Sequence, residues 1–204
     1  MMLRNMARVA LMASVTAVLS WIAVDLPWSP VPVTAQTLGV MLSGLLLEPR
    51  EAALSQVVYL LAGALGMPVF SGGRSGAGMI LGPTGGYLVG FVPGAAVCSL
   101  VARLALRMGP GGKLGRAAAG ALGAAVGGIV VVDMLGVARL AQVARIGLAQ
   151  AVSVGVIPYL PGDVLKCIAA AGVWMRLGAA GWPVKPGGPG GAGNEPGRRE
   201  RMSP

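Results

Sequence analysis

The stretch Tyr159-Leu160-Pro161-Gly162-Asp163-Val164-Leu165-Lys166 sets an acid and a base three residues apart, at the start of an apolar run that continues to Leu177. If that run is embedded in a membrane, each charge costs at least a few kcal/mol there. Such residues face a protein interior or a water-filled cavity and mark a ligand or ion site. On a helix the two side chains share one face, one turn apart.

Composition supports the membrane premise independently. Only 11% of the 204 residues are charged and 55% are hydrophobic, against about 25% charged in an ordinary soluble domain. The net charge of +9 raises nucleic acid as a partner, but the basic residues fall in short clusters between apolar runs and near the end of the chain. Anionic lipid and the positive-inside rule account for that placement. There is no His, and Cys98 and Cys167 each sit alone in an apolar segment. A disulfide framework, a metal site and a Ser/His/Asp or Cys/His catalytic set are therefore excluded or unsupported.

Apolar stretches without Lys, Arg, Asp or Glu cover Val9–Val24, Ala35–Leu47, Ala52–Gly66, Thr84–Ala102 and Ala117–Val132, with the Asp163-led run as a sixth. The fold class expected is an all-α integral membrane protein, a six-helix bundle over residues 1–180. Several stretches fall short of the ~20 residues that span a bilayer, so the second and third are expected to be short, shielded by neighbours and joined at Glu48-Pro49-Arg50-Glu51. Arg4 and Arg8 precede an apolar core as in a signal peptide, but Trp21-Ile22-Ala23-Val24-Asp25 offers no small-residue cleavage site, so the first helix is expected to be retained. Residues 181–204, rich in Gly, Pro and Arg, have no apolar surface to bury and are expected to form a disordered basic tail.

Basic residues at the N-terminus, at Arg103, Arg107, Lys113 and Arg116, and from Arg176 onward place both termini in the cytoplasm. The connections Pro27–Thr34, Met67–Pro83 and Val137–Leu160 then face outward. They carry the hydrogen-bonding candidates: Thr34, Gln36 and Thr37 at the entry to helix two, a glycine-rich loop from Phe70 to Tyr87 that includes Arg74, and the Asp163/Lys166 entry. Thr34 and Thr37 also suit helix capping. The glycine-rich loop lacks the strand and the Gly-Lys-Ser/Thr ending of a P-loop. Asp163 and Lys166 could simply pair with each other.

Val31-Pro32-Val33-Thr34-x-Gln36-Thr37, Leu46-Leu47-x-Pro49-Arg50, Gly66-Met67-Pro68-Val69-Phe70 with Gly72-Gly73, Gly82-Pro83-Thr84-Gly85-Gly86-Tyr87 and Pro161-Gly162-Asp163-x-x-Lys166 occur in this order. Together they resemble the BioY family, the biotin-specific S components of energy-coupling-factor (ECF) transporters, over about Arg8 to Leu177. The resemblance implies a multi-pass protein of the bacterial inner membrane that captures biotin from outside and works with a transmembrane T component and cytoplasmic ATPase subunits. It implies a biotin site formed by Thr34, Gln36, Arg74, Tyr87, Asp163 and Lys166. Asp163 would accept from the ureido N–H groups, and Lys166 and Arg74 are the candidate cations for the carboxylate or the ureido oxygen. Biotin is the transported ligand, and no cofactor is expected.

Two features stand beside this. Ala13-x-x-x-Ala17, with Ala10 nearby, suits either packing within the bundle or close approach of a partner helix; the three alanines are the expected docking surface for the T component. Helix five departs from the family pattern, carrying Val132-Asp133-Met134-Leu135-Gly136-Val137-Ala138-Arg139 where an aromatic is usual. Counted from Arg116, Asp133 falls near the outer interface, and the preferred reading is a pair with Arg139 or Arg145, with direct ligand contact as the alternative. A different class of function, an intramembrane enzyme using Asp163 and Lys166 as an acid–base pair, lacks a nucleophile, a metal set and a second carboxylate nearby.

Overall fold

The computed structural model of the chain describes residues 2–109 and 112–179; the tail expected over 181–204 lies outside them. In lipid every backbone group must find a partner within the chain, which leaves helices as the simplest solution for an apolar segment. The described residues are accordingly mostly helical: α1 (Met2–Ser20), α2 (Gln36–Leu46), α3 (Pro49–Ala64), the short α4 (Ala77–Leu81), α5 (Gly85–Met108), α6 (Gly112–Ala125), α7 (Val132–Ala144), α8 (Leu148–Gly155) and α9 (Leu160–Ala179). One departure from an all-α fold is a two-residue antiparallel pairing of β1 (Ala23–Val24) with β2 (Val33–Thr34), with Ala23 opposite Thr34 and Val24 opposite Val33. It folds the connection between α1 and α2 back on itself.

Helix α5 is the hub, packing on α2, α3, α6 and α7, while α9 lies against α2 and α6, and α1 against α2 and α3. Tyr59, Phe70, Phe91, Met41, Leu47 and Trp174 are fully buried. Tyr59 meets Phe70 edge-on, with ring centroids 5.7 Å apart, an arrangement that suits the aromatic quadrupole. The turn between α2 and α3 is sharp because Leu47 and Glu48 are extended and Pro49 starts α3 at its first helical position, where its missing N–H is not needed.

Among the described residues, two helices are long and apolar enough to cross a membrane by length and composition: α5, and the continuous helix Gly112–Ala144 made of α6, a π-helical stretch at Val126–Val131, and α7. The pair α8 and α9, bent by 58°, passes the same test together. The helix through α7 runs far beyond the expected Val132 end. Arg116 and Arg139 are 23 residues apart in sequence, or roughly 35 Å at 1.5 Å per residue, close to the bilayer's hydrocarbon thickness. Arg139 therefore belongs to the helix, not to a loop. The connection expected over Val137–Leu160 is largely helical, filled by the end of α7 and by α8.

Candidate functional site

The connections expected over Pro27–Thr34, Met67–Pro83 and Val137–Leu160 converge on a cleft of about 590 Å³, including its open mouth. Its wall takes Val31, Pro32 and Thr34 from the first connection, Phe70, Ser71 and Met79 from the second, and Gly155 and Tyr159 from the third. The helices contribute Gln36 and Thr37 from α2, Tyr87, Leu88 and Phe91 from α5, Asp133 from α7, and Asp163 and Lys166 from α9.

A charged cluster joins α9 to α2 on this wall. Lys166 Nζ lies 2.9 Å from Asp163 Oδ1 and donates to Thr37 Oγ1 at 3.0 Å, and the Thr37 hydroxyl donates to the same carboxylate oxygen at 3.3 Å. The Lys166 and Asp163 side chains are only 17% and 8% exposed. The pairing within α9 is therefore real, and it is built into the cleft instead of lying on a lipid face. Shielded from water, its charge-assisted bonds are roughly twice as strong as neutral ones.

Gln36 and Tyr87 reach the cleft with their polar atoms already used. The Gln36 amide nitrogen donates to Tyr59 Oη at 2.6 Å, and its oxygen accepts from Thr34 Oγ1 at 3.3 Å. Tyr87 Oη donates to the Gly155 carbonyl at 2.9 Å. A β-carbon at Gly136 would overlap the Tyr87 ring and one at Gly155 would overlap its hydroxyl, so this position of the side chain depends on both glycines. Thr37 does not cap α2, and its N-cap residue is Ala35, without a side-chain bond; the Thr34 hydroxyl does accept from the Gln36 backbone N–H at 3.4 Å, satisfying the first free donor of the helix. Thr37 lies inside the helix and serves the charged cluster.

Across the mouth, Tyr159 Oη bonds to Ser29 Oγ at 2.8 Å and to the Val31 carbonyl, while Ser29 Oγ donates to the Val154 carbonyl at 2.9 Å. These bonds tie the first of the three connections to the third. Burial raises the Tyr159 phenol above its ordinary pKa, opposed by the bond to Ser29.

Arg74 does not line the cleft. Its guanidinium contacts both oxygens of Asp25 at 3.2 and 3.3 Å, with side chains 49% and 72% exposed. Only its backbone, bridged to Phe70, borders the site.

The expected pairing of Asp133 with Arg139 or Arg145 is corrected. Arg139 donates to the Leu81 carbonyl at 2.5 Å, tying α7 to α4, and Arg145 ends α7 in the left-handed conformation with φ 54°. Six residues along a continuing helix turn Arg139 about 240° around the axis from Asp133, so the two cannot share a face. Asp133 instead joins the cleft wall, and its Oδ2 is buried without a hydrogen-bond partner.

Thr84, Tyr87, Leu88 and Phe91, all on the wall, follow the three- and four-residue spacing of one helix face. That spacing could have identified Phe91, which the motifs did not. Of the α1 alanines, Ala13 is buried at 6% and Ala17 packs partly buried against the same core, while Ala10 is exposed.

The model of the BioY family matches residues 1–181. The biotin transporter BioY of Rhizobium etli is 38% identical over 90% of this chain and 97% of its own length. The biotin transporter BioY of Thermotoga maritima is 33% identical over 86% of this chain and 96% of its own. Among solved structures, the S-component for biotin from an ECF-type ABC transporter superposes with a TM-score of 0.77 at 24% identity, covering 87% of this chain and 92% of that one.

Proposed function

The chain belongs to the BioY family, and from that premise we propose that it captures biotin at the outer face of the bacterial inner membrane and passes it inward. It is a membrane transporter subunit and not an enzyme. The observation that carries the ligand reading is the Thr37–Asp163–Lys166 cluster on the wall of a cleft otherwise lined largely by apolar and aromatic side chains. Biotin matches such a wall, with two ureido N–H donors, one ureido carbonyl, an apolar thiophane ring and a carboxylate tail. Asp163 accepts from the ureido group and Lys166 donates to a ligand oxygen, while Tyr87 supplies a ring face and Gln36 with Thr34 stiffens the α2 entry. Arg74 belongs to the rim in this reading, where the carboxylate tail would compete with Asp25 for it.

The membrane arrangement proposed counts six crossings: α1, α2, α3, α5, the α6–α7 helix and α9. An even count puts both termini on one side, and the basic clusters make that side cytoplasmic. Nothing in the described residues supplies ATP chemistry, so a T component and ATPase subunits are the proposed partners, and α1 is the proposed docking helix. On it a partner meets Ala10 and the edge of Ala17, whereas Ala13 faces inward. Ala10→Leu should therefore remove co-purification with a T component while leaving biotin binding intact; loss of binding instead would place Ala10 in the bundle's own packing.

Isothermal titration of the detergent-solubilised chain with biotin, without ATP or partners, tests the function. A small ligand nearly enclosed approaches the best free energy per atom, so a dissociation constant near nanomolar is expected. No heat and no competition with labelled biotin would contradict the reading.

A further inference from the structure

Asp133 is the acid on the cleft wall that the charged cluster does not absorb. Asp163 Oδ1 receives both Lys166 and Thr37. Asp133 comes from α7, and its Oδ2 is buried with no hydrogen bond to the protein. The cation nearest in sequence, Arg139, is held by the Leu81 carbonyl, and Lys166 is held by Asp163 and Thr37. A buried acceptor without a donor is costly and uncommon in folded proteins, and calls for an explanation at its own site.

Resting on the biotin reading above, we propose that Asp133 is a second ligand-facing acceptor, which takes one N–H of the ureido group while Asp163 takes the other. The chemistry is complementary. A ureido edge presents donor, acceptor, donor; the wall offers a carboxylate on α9, the Lys166 ammonium, and a carboxylate on α7. Asp133 thereby determines specificity. It favours a head group with two N–H donors over one that offers a single donor, because the unmatched ligand leaves the buried oxygen unpaired.

The test compares wild type, Asp133→Leu and Asp133→Asn in detergent, each titrated with biotin and with dethiobiotin, and each melted without ligand. Asp133→Leu removes a buried acceptor that the protein itself leaves unpaired, so the biotin-free melting temperature should hold or rise while biotin affinity falls at least roughly tenfold. Asp133→Asn keeps the shape and a neutral acceptor, and should lose roughly three- to tenfold; it decides the matter if Asp133→Leu does not fold. Dethiobiotin, which keeps both ureido N–H groups, should show the same fold losses. Affinities within twofold of wild type in the folded variants overturn the proposal, as does a loss matched by a fall in the biotin-free melting temperature or one confined to biotin. A wild-type chain that binds no biotin overturns the underlying reading as well.

Discussion

Among the described residues, charged groups are buried at two places, and the two are built differently. At the turn between α2 and α3, Arg103 of α5 is 8% exposed and surrounded by partners: Ser99 Oγ at 3.1 Å, the Leu47 carbonyl at 3.0 Å and Glu48 at 3.1 Å. Ser99 donates to the same carbonyl at 2.7 Å. None of these residues lines the cleft. At the other place, Asp163 and Lys166 are also paired, yet they form one wall of an open cleft, with the unpaired Asp133 oxygen on another. A buried charge whose bonds close on the protein's own backbone fastens the fold. A buried charge that keeps bonding capacity toward a cleft is available to a ligand. Burial alone does not separate the two cases; the bonding partners do.

That contrast can be broken from either end. The largest effect on stability is expected at the fastening. Arg103→Met keeps the stem but removes the bonds to Ser99, Leu47 and Glu48, and hydrogen bonds to charged groups contribute about 1.5–3 kcal/mol. Thermal melting in detergent should therefore fall by several degrees, while biotin affinity in the folded fraction stays within about twofold. An affinity loss as large as the stability loss would make the two regions one coupled unit.

The smallest effect is expected at Arg74. Its pair with Asp25 is exposed on both sides, and such pairs contribute about 0–1 kcal/mol. Asp25→Asn should leave melting nearly unchanged. If the rim role proposed for Arg74 is right, the variant frees that guanidinium for the anionic tail and tightens biotin slightly at low salt, an effect that added salt removes. Titrations at two ionic strengths check this; a tenfold change that ignores salt would place Arg74 inside the site.

The contrast also explains what the sequence could and could not reveal. Lys166 and Asp163 were legible because two charges one turn apart opening an apolar run have few alternatives. Thr34, Gln36 and Tyr87 were legible through motif order, and the structure places all three on the wall, though it gives Gln36 and Tyr87 protein partners for their polar atoms. The Asp25 partner of Arg74, which holds its guanidinium off the wall, was not legible, because a cation in a loop looks alike whether its partner is a ligand or a carboxylate of the chain. The length of the fifth helix was hidden by Arg139, which reads as a loop residue until its bond to the Leu81 carbonyl is seen. The apolar positions Val137, Leu140 and Ala144 continued the helical spacing past it. Asp133 was placed at the rim by counting from Arg116, which fixes a distance along the helix but not the side of it that meets the cleft wall. The two-residue β pairing left no signal that a short apolar connection would not also give.

Whether the charges facing the cleft bind while those fastened to backbone hold the fold is decided by biotin titration of Asp163→Asn and Lys166→Met beside Arg103→Met. Each cleft variant strips a buried ligand group of its charged partner. Biotin affinity should fall by at least ~2 kcal/mol, about thirtyfold, in both, with little loss from Arg103→Met. If Asp163→Asn and Lys166→Met fold and bind biotin as wild type does, the cluster is only an intrahelical pair and the charges facing the cleft do not bind.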